Sequence, residues 1–172
     1  MESHSASPDE DINIVEIWLS RDSIRWTAGI IGGLLAAALA ILFAGVLASS
    51  HGWEFTFPIK LLGIPLNGYT ATESGPHGAL LSGLVILAFI GGLWGFVFGH
   101  FVRTHTLVGM IGMGFTWGAF SWVFVWNLFL QAFKPIHWNY VPTSSAFFVC
   151  MVYGFALSFS VAAIDRILRG NR

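Results

Sequence analysis

The residues that could bind a metal ion are histidines and glutamates that lie between apolar segments of the chain. His51 and Glu54 are three positions apart, and Glu73 and His77 are four apart. These spacings place two side chains on one face of a helix. With His137 they form a candidate copper or zinc site, since imidazole suits both metals. The alternative is polar anchoring at the membrane surface, because a Gly-Pro pair interrupts any helix between Glu73 and His77.

A run of aromatic residues in the third apolar segment is a second candidate site. Trp122 and Trp126 begin the run, which continues at helical spacing and so predicts one aromatic face. Asn127 and Gln131 lie beside this face and carry amides that can donate hydrogen bonds to a quinone carbonyl. A quinone, carotenoid or porphyrin could stack there. Packing against lipid or neighbouring helices is the alternative, and nothing in the sequence requires a cofactor.

Haem ligation receives little support from the positions of the other histidines. Bis-histidine haem b needs two histidines at matching depth on facing helices, and none lies near the middle of an apolar segment. His100 and His105 flank a short connection at one membrane surface. The single cysteine, Cys150, forms no CxxC or CxxCH motif, which excludes a zinc ribbon and covalent c-type haem.

The composition places these candidates in a membrane. The chain has 172 residues, of which 55% are hydrophobic and 10% are charged, whereas soluble domains carry about 25% charged residues. Four segments, about 26–49, 78–101, 106–133 and 143–164, contain no Asp, Glu, Lys or Arg. Each has the roughly 20 residues that a bilayer requires, and only a helix satisfies its own backbone there. The predicted fold is an all-α bundle of four transmembrane helices.

The distribution of Lys and Arg predicts the orientation and the domains. Six of these residues fall on the side that holds both termini, and only Lys60 and Lys134 fall on the other side. The positive-inside rule therefore predicts cytoplasmic termini. The domains are a cytoplasmic segment at 1–25, a transmembrane domain at 26–166 and a basic tail at 167–172. The short connection at 102–105 predicts that spans two and three form an antiparallel hairpin. Asp165 is expected to form a surface ion pair.

Two segments outside the spans also have predicted roles. Ser7, Pro8 and Glu10 fit a capping box at the start of a short amphipathic helix, which we expect to lie on the cytoplasmic surface. The alternatives are a helical extension of span one and a docking element for a partner. The apolar stretch at 57–66 contains two prolines and is shorter than a span, so it is expected at the membrane interface or on the outer helix ends.

Glycines spaced four residues apart predict close contacts between helices, because they line one helical face and let backbones approach. These contacts could form within the bundle or with another subunit, or the glycines could make room for a flat cofactor or lipid. The glycines concerned are Gly29, Gly33, Gly91, Gly95, Gly99, Gly114 and Gly118.

Other functional classes are weakly supported or excluded. No ionisable group lies mid-span, as carriers usually require, although Thr116, Ser121, Asn127 and Ser158 could line a homo-oligomeric pore. The sequence has no GxSxG, HExxH or phosphate-binding loop, so we expect no enzyme activity from the chain alone. A net charge of −1 gives no basic surface for nucleic acid.

The sequence therefore predicts a non-catalytic accessory or structural subunit of a larger membrane complex, such as a respiratory or photosynthetic one. Its expected location is a bacterial inner membrane. Its expected partners are the lipid bilayer and other membrane-protein subunits. The alternatives are a small transporter or homo-oligomeric channel and, third, a haem- or metal-binding redox subunit.

Overall fold

The computed structural model describes residues 22–68, 77–103, 106–129 and 141–170, and most of these residues are helical. The first, third and last helices are long, and the fourth continues directly into a π-helix that we call the π segment. The elements are α1 (Ser23–Ser50), α2 (Phe57–Asn67), α3 (His77–Phe101), α4 (Leu107–Ser121), the π segment (Trp122–Phe129) and α5 (Thr143–Gly170).

Four helices are long and apolar enough to cross a membrane, which confirms the prediction of an all-helical, multi-pass membrane protein. They are α1, α3, α4 with the π segment, and α5. The last helix continues to Gly170, beyond the predicted end at 164, because polar residues extend it past the apolar stretch. The predicted amphipathic helix before residue 22 lies outside the described residues, as do 130–140 and most of the connection between α2 and α3.

Glycines bring three pairs of the spanning helices into close contact. A Cβ atom on Gly29 of α1 would lie 3.2 Å from the Cα of Gly99 on α3. One on Gly32 would lie 2.7 Å from a methyl group of Val161 on α5. One on Gly154 of α5 would lie 2.7 Å from the Cα of Gly118 on α4 (Gly154 being a glycine that the spacing argument did not single out). The backbones therefore pack closely in the order α3, α1, α5, α4.

Large aromatic side chains, rather than glycines, join α3 to α4. The ring of Trp117 lies 5.8 Å from that of Trp94 and 5.3 Å from that of Phe98, measured between centroids. The Trp94 indole N–H also donates to the hydroxyl of Ser121, at 2.8 Å. The predicted hairpin of spans two and three thus meets through side chains, and its two backbones stand further apart than the glycine-lined pairs.

A buried charged cluster lies at the end of the bundle where α1 begins, which we call the Arg25 end. Arg25 and Asp165 are 5% and 1% exposed. The Asp165 carboxylate accepts a hydrogen bond from Arg169 at 3.0 Å, and Arg169 also pairs with Asp22 at 2.5 Å. The predicted ion pair of Asp165 forms with Arg169. Its predicted surface location is wrong, because α1 brings Arg25 against α5 and the carboxylate is buried.

The apolar stretch after α1 forms α2, which packs on the start of α3 at the opposite end of the bundle, the His51 end. Phe57, Leu61 and Ile64 form its buried face. Gly83 of α3 permits this contact, since a Cβ atom there would lie 2.9 Å from a methyl group of Ile59. α2 thereby covers the side of the bundle that contains the candidate site.

Candidate functional site: a cavity at the His51 end

The most prominent concave feature of the described structure is a cavity of about 360 Å³ between the helices at the His51 end. This volume falls within the range of small-molecule pockets, roughly 300–1,000 Å³. All six helical elements contribute to its wall, and α4 does so only through its last residue, Ser121. The lining residues include Ala44, His51, Trp94, Trp126, Cys150 and Tyr153.

The cavity follows from the way in which the helices pack. Glycine contacts hold α3 to α1, α1 to α5 and α5 to α4. Among the described residues, no glycine contact joins α3 to α4. Aromatic rings fill the α3–α4 side towards the Arg25 end. Towards the His51 end, α1 presents the small side chains of Ala37, Ala40 and Ala44, which leave the interior unfilled. The resulting space is partly open to the surroundings of the bundle, so a ligand could enter it.

The cavity wall is apolar and carries few polar groups. No Asp, Glu, Lys or Arg lines it within the described residues. The Ser121 hydroxyl, which is 3% exposed, accepts the Trp94 hydrogen bond. The Tyr153 hydroxyl faces the carbonyl oxygen of Gly91 at 3.5 Å, a long distance for a hydroxyl donor. At the rim, the Nδ1–H of His51 donates to the Leu47 carbonyl at 2.8 Å.

The π segment divides the aromatic face that the sequence predicts. Trp126 lines the cavity, whereas Trp122 packs edge-on against Phe147 of α5 with ring centroids 5.7 Å apart. A π-helix bonds residue i to i+5, so residues four apart no longer share a face. The Asn127 amide accordingly donates to the Trp122 carbonyl at 2.9 Å. The Asn127 amide is thus used in a hydrogen bond within the π segment, which gives no support to its predicted role in binding a ligand. Gln131 lies outside the described residues.

His51 and Glu54, two of the candidate metal ligands, form hydrogen bonds to other groups of the chain. The Glu54 carboxylate accepts hydrogen bonds from Thr56 and from the ammonium group of Lys60, the latter at 2.5 Å. These bonds hold the pKa of Glu54 below its usual value. His51 bonds to α1 instead. Within 22–68, 77–103, 106–129 and 141–170, no three His, Cys, Asp or Glu residues form a group that could hold a metal.

The remaining metal candidates cannot be placed at a site. His77 is the first residue of α3, and Glu73 and His137 lie outside the described residues. For haem, the ring of His100 accepts a hydrogen bond at Nδ1 from the Trp26 indole, at 3.1 Å, near the Arg25 end. His105 also falls outside the described part of the chain.

The four candidate pore residues do not form one polar stripe. Ser121 and Ser158 are each 3% exposed, and Ser158 donates to the Met110 carbonyl at 2.8 Å inside the bundle. Thr116 is exposed and bonds to its own helix at the Gly112 carbonyl. Asn127 is used within the π segment. Ser121 instead accepts the Trp94 hydrogen bond, and the other three side chains donate to backbone carbonyls of this chain.

The seven glycines singled out from the sequence all lie where helices of this chain meet. Those of α1 and α3 face each other, and those of α4 face α5. The residues that sequence reasoning missed are Trp94, Cys150 and Tyr153 of the cavity wall. The sequence offered one indication of a role for Tyr153, since it is the only tyrosine within a predicted span.

Comparison with known proteins does not add an assignment to this geometry. No protein-family model matches the chain, and no curated protein or solved structure matches it.

Proposed function

We propose that this chain is a non-catalytic membrane protein that binds an uncharged, lipophilic molecule in the cavity at the His51 end. The observation that carries the proposal is a space of about 360 Å³ within the bundle whose described lining contains no Asp, Glu, Lys or Arg. Burying an ionised group without a partner costs several kcal/mol or more, so an apolar wall selects a neutral ligand. An occupant would also recover the packing contacts that the wall lacks.

In its membrane, we propose that the protein serves as an accessory subunit that holds this molecule beside partner membrane proteins. The exposed faces of the spanning helices are apolar, as at Leu39, Leu81 and Val108, and suit either lipid or partner helices. The excess of Lys and Arg on the side of the termini supports cytoplasmic termini, and a bacterial inner membrane is the location that we propose. We do not extend the proposal to a channel or redox subunit, because Ser121, Ser158 and His100 already make hydrogen bonds within the bundle.

Filling the cavity tests the proposal. Ala44 lines the cavity, whereas Ala38 is on the same helix and faces outward. Binding of decylbenzene to the protein in lipid nanodiscs would be measured by isothermal titration calorimetry, with empty nanodiscs subtracted. We expect saturable binding at one molecule per chain. Ala44→Phe should weaken it roughly tenfold or more, since an added ring overpacks the space.

The matched control is Ala38→Phe, which adds the same ring on the outward face of α1. It should change the affinity by no more than about twofold, as surface substitutions usually do. Equal weakening by the two variants, or no saturable binding to the unaltered protein, would overturn the proposal.

A further inference from the structure

We infer that the ligand is a flat-ringed lipophile with a ring carbonyl, and that the Tyr153 hydroxyl recognises this carbonyl oxygen. The inference rests on the proposed function, because it names the chemistry of the molecule that the cavity holds. Tyr153 on α5 would then bind the carbonyl for which the sequence suggested Asn127.

The Tyr153 hydroxyl lies next to the cavity and is weakly bonded. Tyr153 and Gly91 both line the cavity, and the hydroxyl lies 3.5 Å from the Gly91 carbonyl. Hydroxyl donors usually lie about 2.5–3.0 Å from their acceptor, so this bond is at its outer limit. A donor held this loosely away from water gains from a better acceptor. An oxygen on a ligand in the cavity would supply one.

The groups around Tyr153 indicate which kind of ligand oxygen would accept its hydrogen bond. The neighbouring hydroxyl of Ser121 already accepts the Trp94 indole N–H at 2.8 Å. No described cationic side chain lines the cavity, so a carboxylate or phosphate would be buried without a countercharge. A carbonyl accepts a hydrogen bond without carrying a charge. A plain hydrocarbon chain fits the apolar wall, but it offers the Tyr153 hydroxyl no acceptor better than the Gly91 carbonyl.

The lining residues indicate the shape of the ligand. Trp94, Trp126 and Tyr153 come from α3, the π segment and α5, so three different helical elements contribute an aromatic residue to the cavity wall. Aromatic faces favour flat partners in offset or edge-on contact. The volume of about 360 Å³ is near the lower end of the range for ligand pockets. It suits a substituted ring whose apolar tail extends into the bilayer.

Two probes that differ in their carbonyl groups test the inference. One is a fully substituted benzoquinone with a decyl tail, and the other is decylbenzene, which has the same tail and no oxygen. Both would be titrated into the protein in nanodiscs. We expect the quinone to bind more tightly. Tyr153→Phe should weaken quinone binding about three- to tenfold, the usual effect of one hydrogen bond, and leave decylbenzene binding unchanged.

The matched control is Thr116→Val, which removes an exposed hydroxyl that bonds to its own helix outside the cavity wall. It should change neither affinity. An infrared spectrum of the isotope-labelled quinone gives a readout that a purely structural effect would not move. The carbonyl stretch should shift to lower frequency on binding, and this shift should disappear in Tyr153→Phe.

The outcomes separate this inference from the proposed function. Equal affinities for the two probes, an unchanged affinity in Tyr153→Phe, or an unshifted carbonyl band in the unaltered protein would overturn the role of Tyr153. Saturable decylbenzene binding that Ala44→Phe weakens would still support the cavity. The infrared measurement on the unaltered protein decides the matter even where Tyr153→Phe folds poorly.

Discussion

The guanidinium of Arg25 on the first spanning helix lies 3.7 Å from the carboxylate of Asp165 on the last one. Arg25 also donates through Nε to the carbonyls of Gly99 and Val102, at 3.2 and 3.0 Å. These carbonyls end α3, where the helix dipole favours a cation. One buried side chain therefore connects α1, α3 and α5 at the Arg25 end.

Removing the carboxylate should destabilise the bundle strongly. Asp165→Ala removes the carboxylate that faces the buried Arg25 guanidinium, and losing one partner of a buried pair costs about 3–5 kcal/mol. The double variant Arg25→Met with Asp165→Leu should be more stable than Asp165→Ala, because it removes both charges. The free energy of unfolding would be measured by titration with sodium dodecyl sulfate and circular dichroism. Arg166→Gln, at an exposed position, is the control. An unaltered stability in Asp165→Ala would contradict the structural role of the pair.

The glycine contact between α1 and α3 should tolerate no added methyl group. A Cβ atom on Gly33 would lie 2.8 Å from the Cα of Gly95 and closer still to the Gly91 carbonyl. Gly33→Ala should therefore lower the free energy of unfolding by about 1–3 kcal/mol, the usual effect of overpacking. Gly112→Ala is the matched control, since that position is open and exposed. It should be neutral or slightly stabilising, because alanine favours helix. The reverse order of stabilities would refute the packing scheme.

The spans were predictable because their signal is local. Charge-free stretches of bilayer length identify four helices whichever way these pack. The pairing of the helices was not predictable, because glycine motifs on different spans look alike. The sequence does not show that Gly33 meets Gly91 and Gly95, or that Gly118 meets Gly154. Burial of Asp165 follows from this pairing and was missed for the same reason.

Only part of the cavity wall could be predicted from the sequence. The aromatic run drew attention to Trp126, which lines the cavity, but also to Trp122, which does not. The difference arises from the π segment, whose i to i+5 bonding changes which residues are neighbours. Trp94 and Tyr153 reach the same space from other helices, so their roles depend on packing that no spacing rule reveals.

Acid should weaken the attachment of α2. Lys60 is 3% exposed, and its ammonium group bonds to Glu54. Because the pKa of Glu54 is lowered in the folded state, the carboxylate stabilises the fold above its unfolded pKa of about 4.3. That contribution is lost as the pH falls through the lowered folded value. Thermal unfolding from pH 7 to pH 3 should therefore show a loss of stability only in the acid range.

The variant Glu54→Gln assigns this loss to the Glu54–Lys60 pair. It should lower the melting temperature at pH 7, because Lys60 loses its anionic partner, and it should reduce the decline in acid. Adding Lys60→Met should restore part of the stability at pH 7, since the buried charge is then absent. The carboxylate of Asp22, whose pKa is also lowered, is retained in both variants and supplies a constant background. An acid decline of undiminished size in Glu54→Gln would refute the assignment.

Cys150 offers a direct measure of access to the cavity, because it is the only cysteine in the chain and lines the wall. We expect N-ethylmaleimide to label it slowly in nanodiscs, since Cys150 is half-buried within an apolar wall and the thiolate is the reactive form. Ala44→Phe and saturating decylbenzene should each slow labelling several-fold, as followed by intact mass. Ala38→Phe should not, because its ring faces outward. Equal labelling rates in the Ala44→Phe and unaltered proteins would mean that the reagent reaches Cys150 by a route outside the cavity.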